Sequence, residues 1–323
     1  MLSYHIDMPI ITFQTSVIAV LEIFAMGALG FYLVRSGIIQ ESGLKLLSFL
    51  SVNVFFPLFI FYQIIENFNV ARMPLWWEFP LINICLVIMG MLVASLVLLR
   101  FHSPFKDEFL AVSSLHNAGY IPLLIVMTLP LGWFAGQVYT YVIMSIIGFD
   151  TCLWSLGVWL LTRGQSPRMD LKKMINPPLI SMSAAIIIIL TIGPGVLPEI
   201  IVRPIKILGD AAMAVAMIVI GGNLSLSSLT KVNWKQVSGV ASIKLIVIPL
   251  ITLTLLFFLK LNLLLGFVAI IQASMPSSIT LSIIGRNYET KNQEFINQSI
   301  FFTHLLSLIT IPIFLGLYGR LIH

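Results

Sequence analysis

The amino-acid sequence predicts an all-α protein that crosses a membrane many times. Of its 323 residues, 59% are hydrophobic and only 10% are charged, and the mean hydropathy is +1.02. A helix needs roughly 20 apolar residues to cross the hydrocarbon core of a bilayer, and ten such runs follow one another along the chain. Two of the runs are interrupted at mid-span by polar residues and a proline. We therefore predict ten transmembrane helices, of which the fourth and the ninth are broken.

The predicted spans, numbered in chain order, cover residues 12–34, 44–65, 76–99, 107–130, 134–161, 179–192, 204–224, 237–259, 262–285 and 295–317. A polar segment at 162–178 divides them into two sets of five, which gives repeats at 1–165 and 166–323. Because five spans precede the second set, that set enters the membrane from the opposite side. The halves are therefore predicted to be inverted repeats, with the broken span fourth in each.

Span 4 is apolar overall, but its centre disfavours a helix. His116, Asn117, Gly119 and Pro122 lie within seven residues there. Proline lacks a backbone donor and clashes with the preceding turn, and glycine weakens a helix further. In hydrocarbon, each freed N–H and C=O group must find another partner. A break at this depth therefore indicates a protein-lined or water-filled cavity.

Span 9 repeats this pattern in the second half of the chain. Gln272, Ser274, Pro276, Ser277 and Ser278 occupy its centre. Interrupted spans at corresponding positions of two halves are the best sequence indication of a transporter binding site. The N-terminal end of a half-helix offers unpaired N–H groups and about half a positive charge, which favours an anion.

Side chains of both breaks are predicted to bind the substrate. The amides of Asn117 and Gln272 can donate and accept hydrogen bonds, and the serines add short donors. The predicted substrate-binding residues are Asn117, Gly119, Tyr120, Pro122, Gln272, Ser274, Pro276, Ser277 and Ser278. A second interpretation stays open, in which these groups only satisfy the backbone that the prolines free.

Charged and titratable residues inside the spans are candidates for coupling. An intramembrane charge is costly and is therefore a functional candidate by default. Asp150 could exchange a proton during transport or form a structural pair with Lys244, and Glu22 could be a third coupling group or face a cavity. His116 and His304 can titrate near neutrality, but hydrogen-bonded packing is the more typical role for such residues.

The sequence indicates no metal site, no cofactor and no enzymatic activity. Cys85 and Cys152 lie in apolar runs without metal-ligand spacing, and phosphate-loop and nucleophile motifs are missing from the sequence. Basic residues occur singly between apolar runs, which argues against nucleic acid as a partner. The predicted partners are a small organic anion and membrane lipid, and the pattern allows a homodimer.

Four sequence motifs resemble those of a known transporter family. They are NVFFPLFIF from Asn53, NAGYIPLL from Asn117, MIVIGGNLSL from Met217 and AIIQASMPSSITLSIIGRNYE from Ala269. These motifs are similar to segments of the auxin efflux carrier family, and the similarity extends along essentially the whole chain. Asn117 lies five residues before Pro122, a shorter gap than many members have.

The resemblance implies two inverted five-helix repeats, similar to the bile-acid/sodium symporter fold. Spans 1, 2, 6 and 7 would form a scaffold. Spans 3–5 and 8–10 would form a transport domain that moves in the manner of an elevator, with spans 4 and 9 crossing at their prolines. Plant members export auxin, and bacterial members are associated with dicarboxylates. We therefore expect a secondary transporter of a small organic anion, such as a carboxylate, that is proton-linked or a uniporter.

Two other classes of membrane protein stay open at this point. A sodium-coupled symporter of the bile-acid type would need a cluster of hydroxyl, carboxylate and carbonyl oxygens beside the crossing, and the sequence has no convincing signature of one. A channel or a receptor could also use broken helices, because such helices line pores.

The distribution of Lys and Arg predicts the orientation in a bacterial inner membrane. Connections that follow odd-numbered spans hold twelve of the eighteen basic residues, whereas the other connections and the tails hold five. Short cytoplasmic loops are enriched in Lys and Arg. The central polar segment is therefore predicted to be cytoplasmic and both termini to lie outside.

Thiol labelling tests this orientation on a background that carries Cys85→Ser and Cys152→Ser. A cysteine that replaces Gln165 should be protected from impermeant reagents in intact cells, because its loop is predicted to be cytoplasmic. A cysteine that replaces His323 should be labelled. The opposite labelling pattern would reverse the predicted orientation and leave the predicted repeats unchanged.

Overall fold

The computed structural model describes residues 12–132, 135–163, 176–193, 195, 197–226, 232–290 and 292–322. The chain termini, most of the central polar segment and the first residue of predicted span 5 lie outside the described residues. All regular secondary structure within the described ranges is helical. The helices are α1 (Phe13–Arg35), α2 (Glu41–Asn67), α3 (Glu78–Arg100), α4 (Lys106–Ser114), α5 (Tyr120–Thr128), α6 (Ala135–Thr162), α7 (Pro177–Thr191), α8 (Glu199–Ser225), α9 (Trp234–Leu259), α10 (Leu263–Ala273), α11 (Thr280–Asn287) and α12 (Gln293–Ile322).

Seven helices in the described ranges are long and apolar enough to cross a membrane. They are α1, α2, α3, α6, α8, α9 and α12, and they coincide with predicted spans 1, 2, 3, 5, 7, 8 and 10. The prediction of an all-helical membrane protein is thus confirmed. Predicted span 6 is the shorter helix α7. Spans 4 and 9 are each two short helices, α4 with α5 and α10 with α11.

The predicted start of span 7 is wrong by about one turn. The prediction begins the helix at Pro204, whereas α8 begins at Glu199 and continues through Pro204. Pro198 is the N-cap residue, and an acidic side chain in the first turn is favourable at the positive end of the helix dipole. A proline close to the start of a helix removes only one internal hydrogen bond, so these signals outweigh it.

Three of the long helices contain a π-helical turn, at Ser51–Phe55 in α2, Leu153–Gly157 in α6 and Ile243–Val247 in α9. In α2 and α9, a proline follows this turn by two residues, at Pro57 and Pro249 respectively. The wider turn gives the proline ring room against the preceding turn. Such turns are frequent at functional sites, and the one in α9 contains Lys244.

α1 and α8 pack with their backbones in close contact. A Cβ atom on Gly30 of α1 would overlap the backbone of Ile218, and one on Gly221 of α8 would overlap the backbone carbonyl of Gly27. Neither helix could therefore carry a larger residue at these positions without moving apart. Small residues allow this approach in membrane proteins, where van der Waals packing drives helix association.

The helices pack in two groups that meet along one face. α1, α2, α7 and α8 form the first group, through contacts of α1 with α8, α2 with α7 and α2 with α8. In the second group, α3 packs on α4, α6 and α10, and α12 packs on α9, α10 and α11. The groups meet where α1 contacts α5 and α12 and where α2 contacts α6. Both broken spans belong to the second group.

Candidate functional site

The two breaks in the chain lie against each other. The first break, residues 115–119, separates α4 from α5, and the second, residues 274–279, separates α10 from α11. His116 of the first break and Ser277 of the second form an antiparallel β-bridge. We call these two paired segments the junction.

Backbone hydrogen bonds hold the junction together. The amide of Asn117 donates to the carbonyl of Pro276 at 2.8 Å, and the amide of Ser278 donates to the carbonyl of Leu115 at 3.0 Å. Each break thus provides a carbonyl acceptor for a backbone amide of the other break, which the interruption leaves without a partner in its own helix. This exchange solves the problem that an interrupted helix creates in hydrocarbon, where unsatisfied backbone groups cost several kcal/mol each.

The Gln272 side chain ties the junction to α6. Its Nε2 donates to the carbonyl of Ala118 at 3.0 Å and to the Ser145 hydroxyl at 2.9 Å. Gln272 is fully buried, and its Oε1 has no hydrogen-bond partner among the described residues. This side chain therefore has both of its donors committed to the fold, and only its acceptor is available to a further group.

A second connection reaches the junction from α3. The Nε2 atom of His116 lies 3.0 Å from Oδ1 of Asn83, whose Nδ2 donates to the carbonyl of Ser145 at 2.8 Å. Since Asn83 Oδ1 can only accept, His116 carries its proton on Nε2. The expected packing role of His116 agrees with this geometry. The sequence analysis missed Asn83 and Ser145, although an asparagine inside an apolar span was a visible signal.

Two of the predicted serines satisfy backbone carbonyls. The hydroxyl of Ser277 donates to the carbonyl of Val112 in α4 at 2.7 Å, and that of Ser274 donates to the carbonyl of Ile270 at 2.8 Å. Both serines are almost completely buried. Their hydroxyl donors are thus used within the protein, as expected if these serines only satisfy backbone groups that the prolines free.

The side chains of Asn117 and Ser278 differ from these serines. Both lie in the junction and are only 6% and 3% exposed. Their backbone amides are paired, yet within the described part of the chain neither the Asn117 amide group nor the Ser278 hydroxyl has a hydrogen-bond partner. Their polar atoms are not among the fully buried, unpaired side-chain atoms of the described residues, so they remain accessible to a ligand. These two side chains are therefore the best placed to bind a ligand.

The remaining residues predicted in span 4 form the start of α5. Gly119 is the N-cap residue, and its carbonyl accepts the amide of Leu123 at 3.1 Å. Pro122 is the third residue of α5, where its missing N–H costs no helical hydrogen bond. The hydroxyl of Tyr120 accepts a hydrogen bond from Ser51 of α2 at 3.3 Å. Tyr120 therefore links the junction to the first group of helices.

Two helix N-termini begin at the junction. The amides of Tyr120 and Ile121 in α5 and of Thr280 in α11 find no acceptor within the ranges that the structure describes. Unpaired first-turn amides give a helix N-terminus about half a positive charge and the geometry to bind an anion. The junction thus contains two sets of donors suited to a negatively charged group.

Lys244 places an amine that can carry a positive charge beside the junction. Its side chain is 1% exposed, and its Nζ donates to the carbonyl of Ser114, the last residue of α4, at 3.2 Å. A cation at a helix C-terminus is favourable. No carboxylate of the described residues lies within ion-pair distance of this ammonium group. A protonated Lys244 therefore lacks a counterion among the described residues.

Asp150 and Lys244 do not form the pair that the sequence analysis considered. Asp150 instead accepts a hydrogen bond from Asn176 at 2.9 Å, and Asn176 also caps the N-terminus of α7 through the amide of Leu179. Lys244 binds the end of α4. A sequence cannot show this difference, because it depends on which helices pack together. Glu22 is exposed on α1 and shares no hydrogen bond with the other described residues.

Comparison with known proteins covers nearly the whole chain. A family model described as membrane transport protein matches twice, at residues 15–167 and 158–315. An uncharacterized transporter of Methanocaldococcus jannaschii is 26% identical over 304 residues, which cover 91% of this chain and 96% of the relative. The two family matches overlap at residues 158–167, where the central polar segment begins.

Proposed function

Because the chain belongs to the membrane transport protein family, we propose that it carries a small organic anion and that the junction binds this substrate. Membership confirms the resemblance predicted from the sequence motifs and makes the protein an integral membrane transporter rather than an enzyme. The choice of an anion rests on the electrostatics of the junction. The choice of a carboxylate as the class to test rests on the resemblance.

The buried amine of Lys244, which has no counterion among the described residues, is the observation that carries the proposal. Removing an ammonium group from water costs several kcal/mol unless a partner compensates for it. Within the described residues, Lys244 has only the carbonyl of Ser114, whereas an ammonium group has three donors. An anion bound at the junction would provide the missing negative charge. Intramembrane charges of this kind mark substrate or ion pathways.

The neutral donors of the junction would orient the anion. The amide group of Asn117 and the hydroxyl of Ser278 are unpaired within the described ranges. The first turns of α5 and α11, with their unpaired backbone amides, follow directly after the two breaks. A carboxylate accepts several hydrogen bonds at once, so it can satisfy donors from both breaks. Transport of an anion would thus use the groups that the fold leaves without partners.

The packing in two groups supports an elevator-like movement. In this proposal α1, α2, α7 and α8 are the scaffold, and the other helices carry the junction, where the two broken spans cross at Pro122 and Pro276. This assignment keeps the ten spans and inverted repeats of the sequence prediction. Polar links between the groups include Ser51 with Tyr120 and Asp150 with Asn176. Such links can break and reform as one group slides past the other.

A sodium-coupled symporter is the alternative with the closest fold. Its cation would sit among backbone oxygens freed by the breaks. Here the ammonium group of Lys244 already occupies the carbonyl at the end of α4, and a second cation nearby would be repelled. We therefore favour transport without sodium. The proposal keeps the predicted location in a bacterial inner membrane with both termini outside, and a homodimer is one assembly to test.

Substitution of Lys244 and Asn117 tests the substrate site. A thermal-shift screen of mono- and dicarboxylates first identifies a ligand, whose affinity is then measured for each variant. Asn117→Ala and Lys244→Met should each weaken binding about ten- to a hundred-fold, since a hydrogen bond to a charged group is worth roughly 1.5–3 kcal/mol. Lys244→Met should not lower the unfolding midpoint, because methionine removes an uncompensated buried charge.

The matched control for the lysine is Lys235→Met, an exposed position at the start of the same helix α9. It should bind the ligand like the wild-type protein. Unchanged affinity in Asn117→Ala and Lys244→Met would place the anion elsewhere. A large loss of stability in Lys244→Met with normal affinity would make the lysine a structural group.

Asp150→Asn separates proton-linked transport from uniport in proteoliposomes. Asp150 is an acid within a spanning helix whose hydrogen bond with Asn176 links the two groups of helices, so we propose that it carries the coupled proton. Asp150→Asn should then abolish uptake driven by a pH gradient while exchange of labelled for unlabelled substrate continues. Replacing sodium by potassium should change neither activity. Gradient-driven uptake that persists in Asp150→Asn would assign the coupled proton to another residue. Absence of gradient-driven uptake in the wild type would assign uniport, and sodium-dependent uptake would favour the symporter.

A further inference from the structure

A separate cavity lies where α1 and α8 of the first group meet α5 and α12 of the second. It has a volume of about 340 Å³ and is lined by residues of α1, α5, α8 and α12. Ile121 of α5 contributes to its wall, but Asn117, Ser278 and Lys244 do not. The lining side chains are apolar apart from His304. This size lies at the lower end of the range for small-molecule pockets.

The mouth of the cavity opens towards lipid. Ala28 and Phe31 of α1 and Leu305 of α12 line the cavity and are also exposed on the surface of the helices. These helices are long and apolar enough to span the membrane, so their exposed apolar side chains face hydrocarbon. A ligand would therefore enter from the bilayer and must be lipid-soluble.

His304 gives the cavity a hydrogen-bond acceptor. Its Nδ1 lies 2.8 Å from the carbonyl of Ile300, and a carbonyl can only accept, so Nδ1 carries the proton of the neutral ring. Nε2 is then an acceptor. Within the described residues this buried atom has no partner. A ligand that satisfies it must offer an O–H or N–H donor, and a ligand with acceptors alone would leave it unsatisfied.

We propose that this cavity binds a lipophilic phenol from the membrane, with the phenol hydroxyl donating to Nε2 of His304. Phe24, Phe31 and Phe301 line the cavity together with Met217, and aromatic rings and thioethers both pack favourably against an aromatic ligand. A phenol has a pKa near 10 and stays neutral at pH 7, whereas a carboxylic acid with a pKa near 4 would bring a charge into an apolar space.

A bound phenol would contact both groups of helices. α1 and α8 line one side of the cavity, and α5 and α12 line the other. A ligand between them would stabilise this arrangement and resist a sliding movement. Inhibition of transport rests on the proposed elevator-like function, whereas binding to the cavity does not depend on that function.

Thermal unfolding with 4-butylphenol tests the site on the purified full-length protein in a maltoside detergent. The phenol should raise the unfolding midpoint. Its methyl ether, 4-butylanisole, has the same apolar body without the donor and should need at least a roughly tenfold higher concentration for the same shift. His304→Leu should abolish the preference for the phenol because it removes the acceptor.

Three further variants control for folding and location. Ala28→Phe narrows the mouth from the exposed side and should weaken binding without burying new groups. His102→Gln replaces an exposed histidine outside the cavity and should bind the phenol normally. Asn117→Ala should also bind it normally. Equal shifts for phenol and ether, or a loss of the shift in Asn117→Ala with retention in Ala28→Phe, would overturn the proposed site.

Transport assays separate this inference from the proposed function. If 4-butylphenol binds as expected and also inhibits uptake of the transported anion without displacing it, both parts of the inference hold. Binding without inhibition would keep the cavity as a phenol site and overturn its predicted effect on movement. Displacement of the anion would place the phenol in the junction and overturn the separate site.

Discussion

The reciprocal hydrogen bonds between the two chain breaks are the constraint on which the rest of this structure depends. Four short helices end or begin at the junction, and in hydrocarbon their terminal backbone groups have no water to bind. Asn117 with Pro276, and Ser278 with Leu115, let each break satisfy part of the other. Neither broken span could therefore keep its form alone. The two halves of the chain depend on each other at this point.

The side chains around the junction divide into two sets with different consequences. Gln272, Ser277 and His116 use hydrogen bonds to fix the breaks to neighbouring helices. Asn117 and Ser278 keep their side chains unpaired within the described ranges. The first set makes the junction rigid, and the second provides the donors that the proposed substrate would use. Preorganised donors of this kind lower the cost of ordering the site when a ligand arrives.

The sequence was sufficient for the features that follow from local composition. Long apolar runs predicted ten spans, seven of which coincide with helices in the described ranges that are long and apolar enough to cross a membrane. Clustered proline, glycine and polar residues predicted both breaks. The motifs also predicted the family. Helix starts were less certain, as Pro204 shows, because a helix can begin before a proline when the preceding residues favour it.

Partners in space could not be predicted in the same way. Asp150 and Lys244 were the clearest intramembrane charges, yet Asp150 binds Asn176 and Lys244 binds Ser114. Asn83 was overlooked because one asparagine in an apolar run gives no indication of its partner. These contacts depend on the packing of helices that are distant in sequence. Only the assembled fold shows which polar groups are satisfied and which keep no partner among the described residues.

A disulfide between the two breaks tests the central claim most directly. His116 and Ser277 face each other in the antiparallel bridge without hydrogen bonds between them, a geometry that places Cα atoms about 4.5 Å apart and within disulfide range. His116→Cys and Ser277→Cys are combined on the cysteine-free background, with a protease site in the central polar segment. After cleavage, the two halves should run as one band on a denaturing gel until a reductant is added. Halves that separate without reductant would contradict the paired junction and the substrate site built on it.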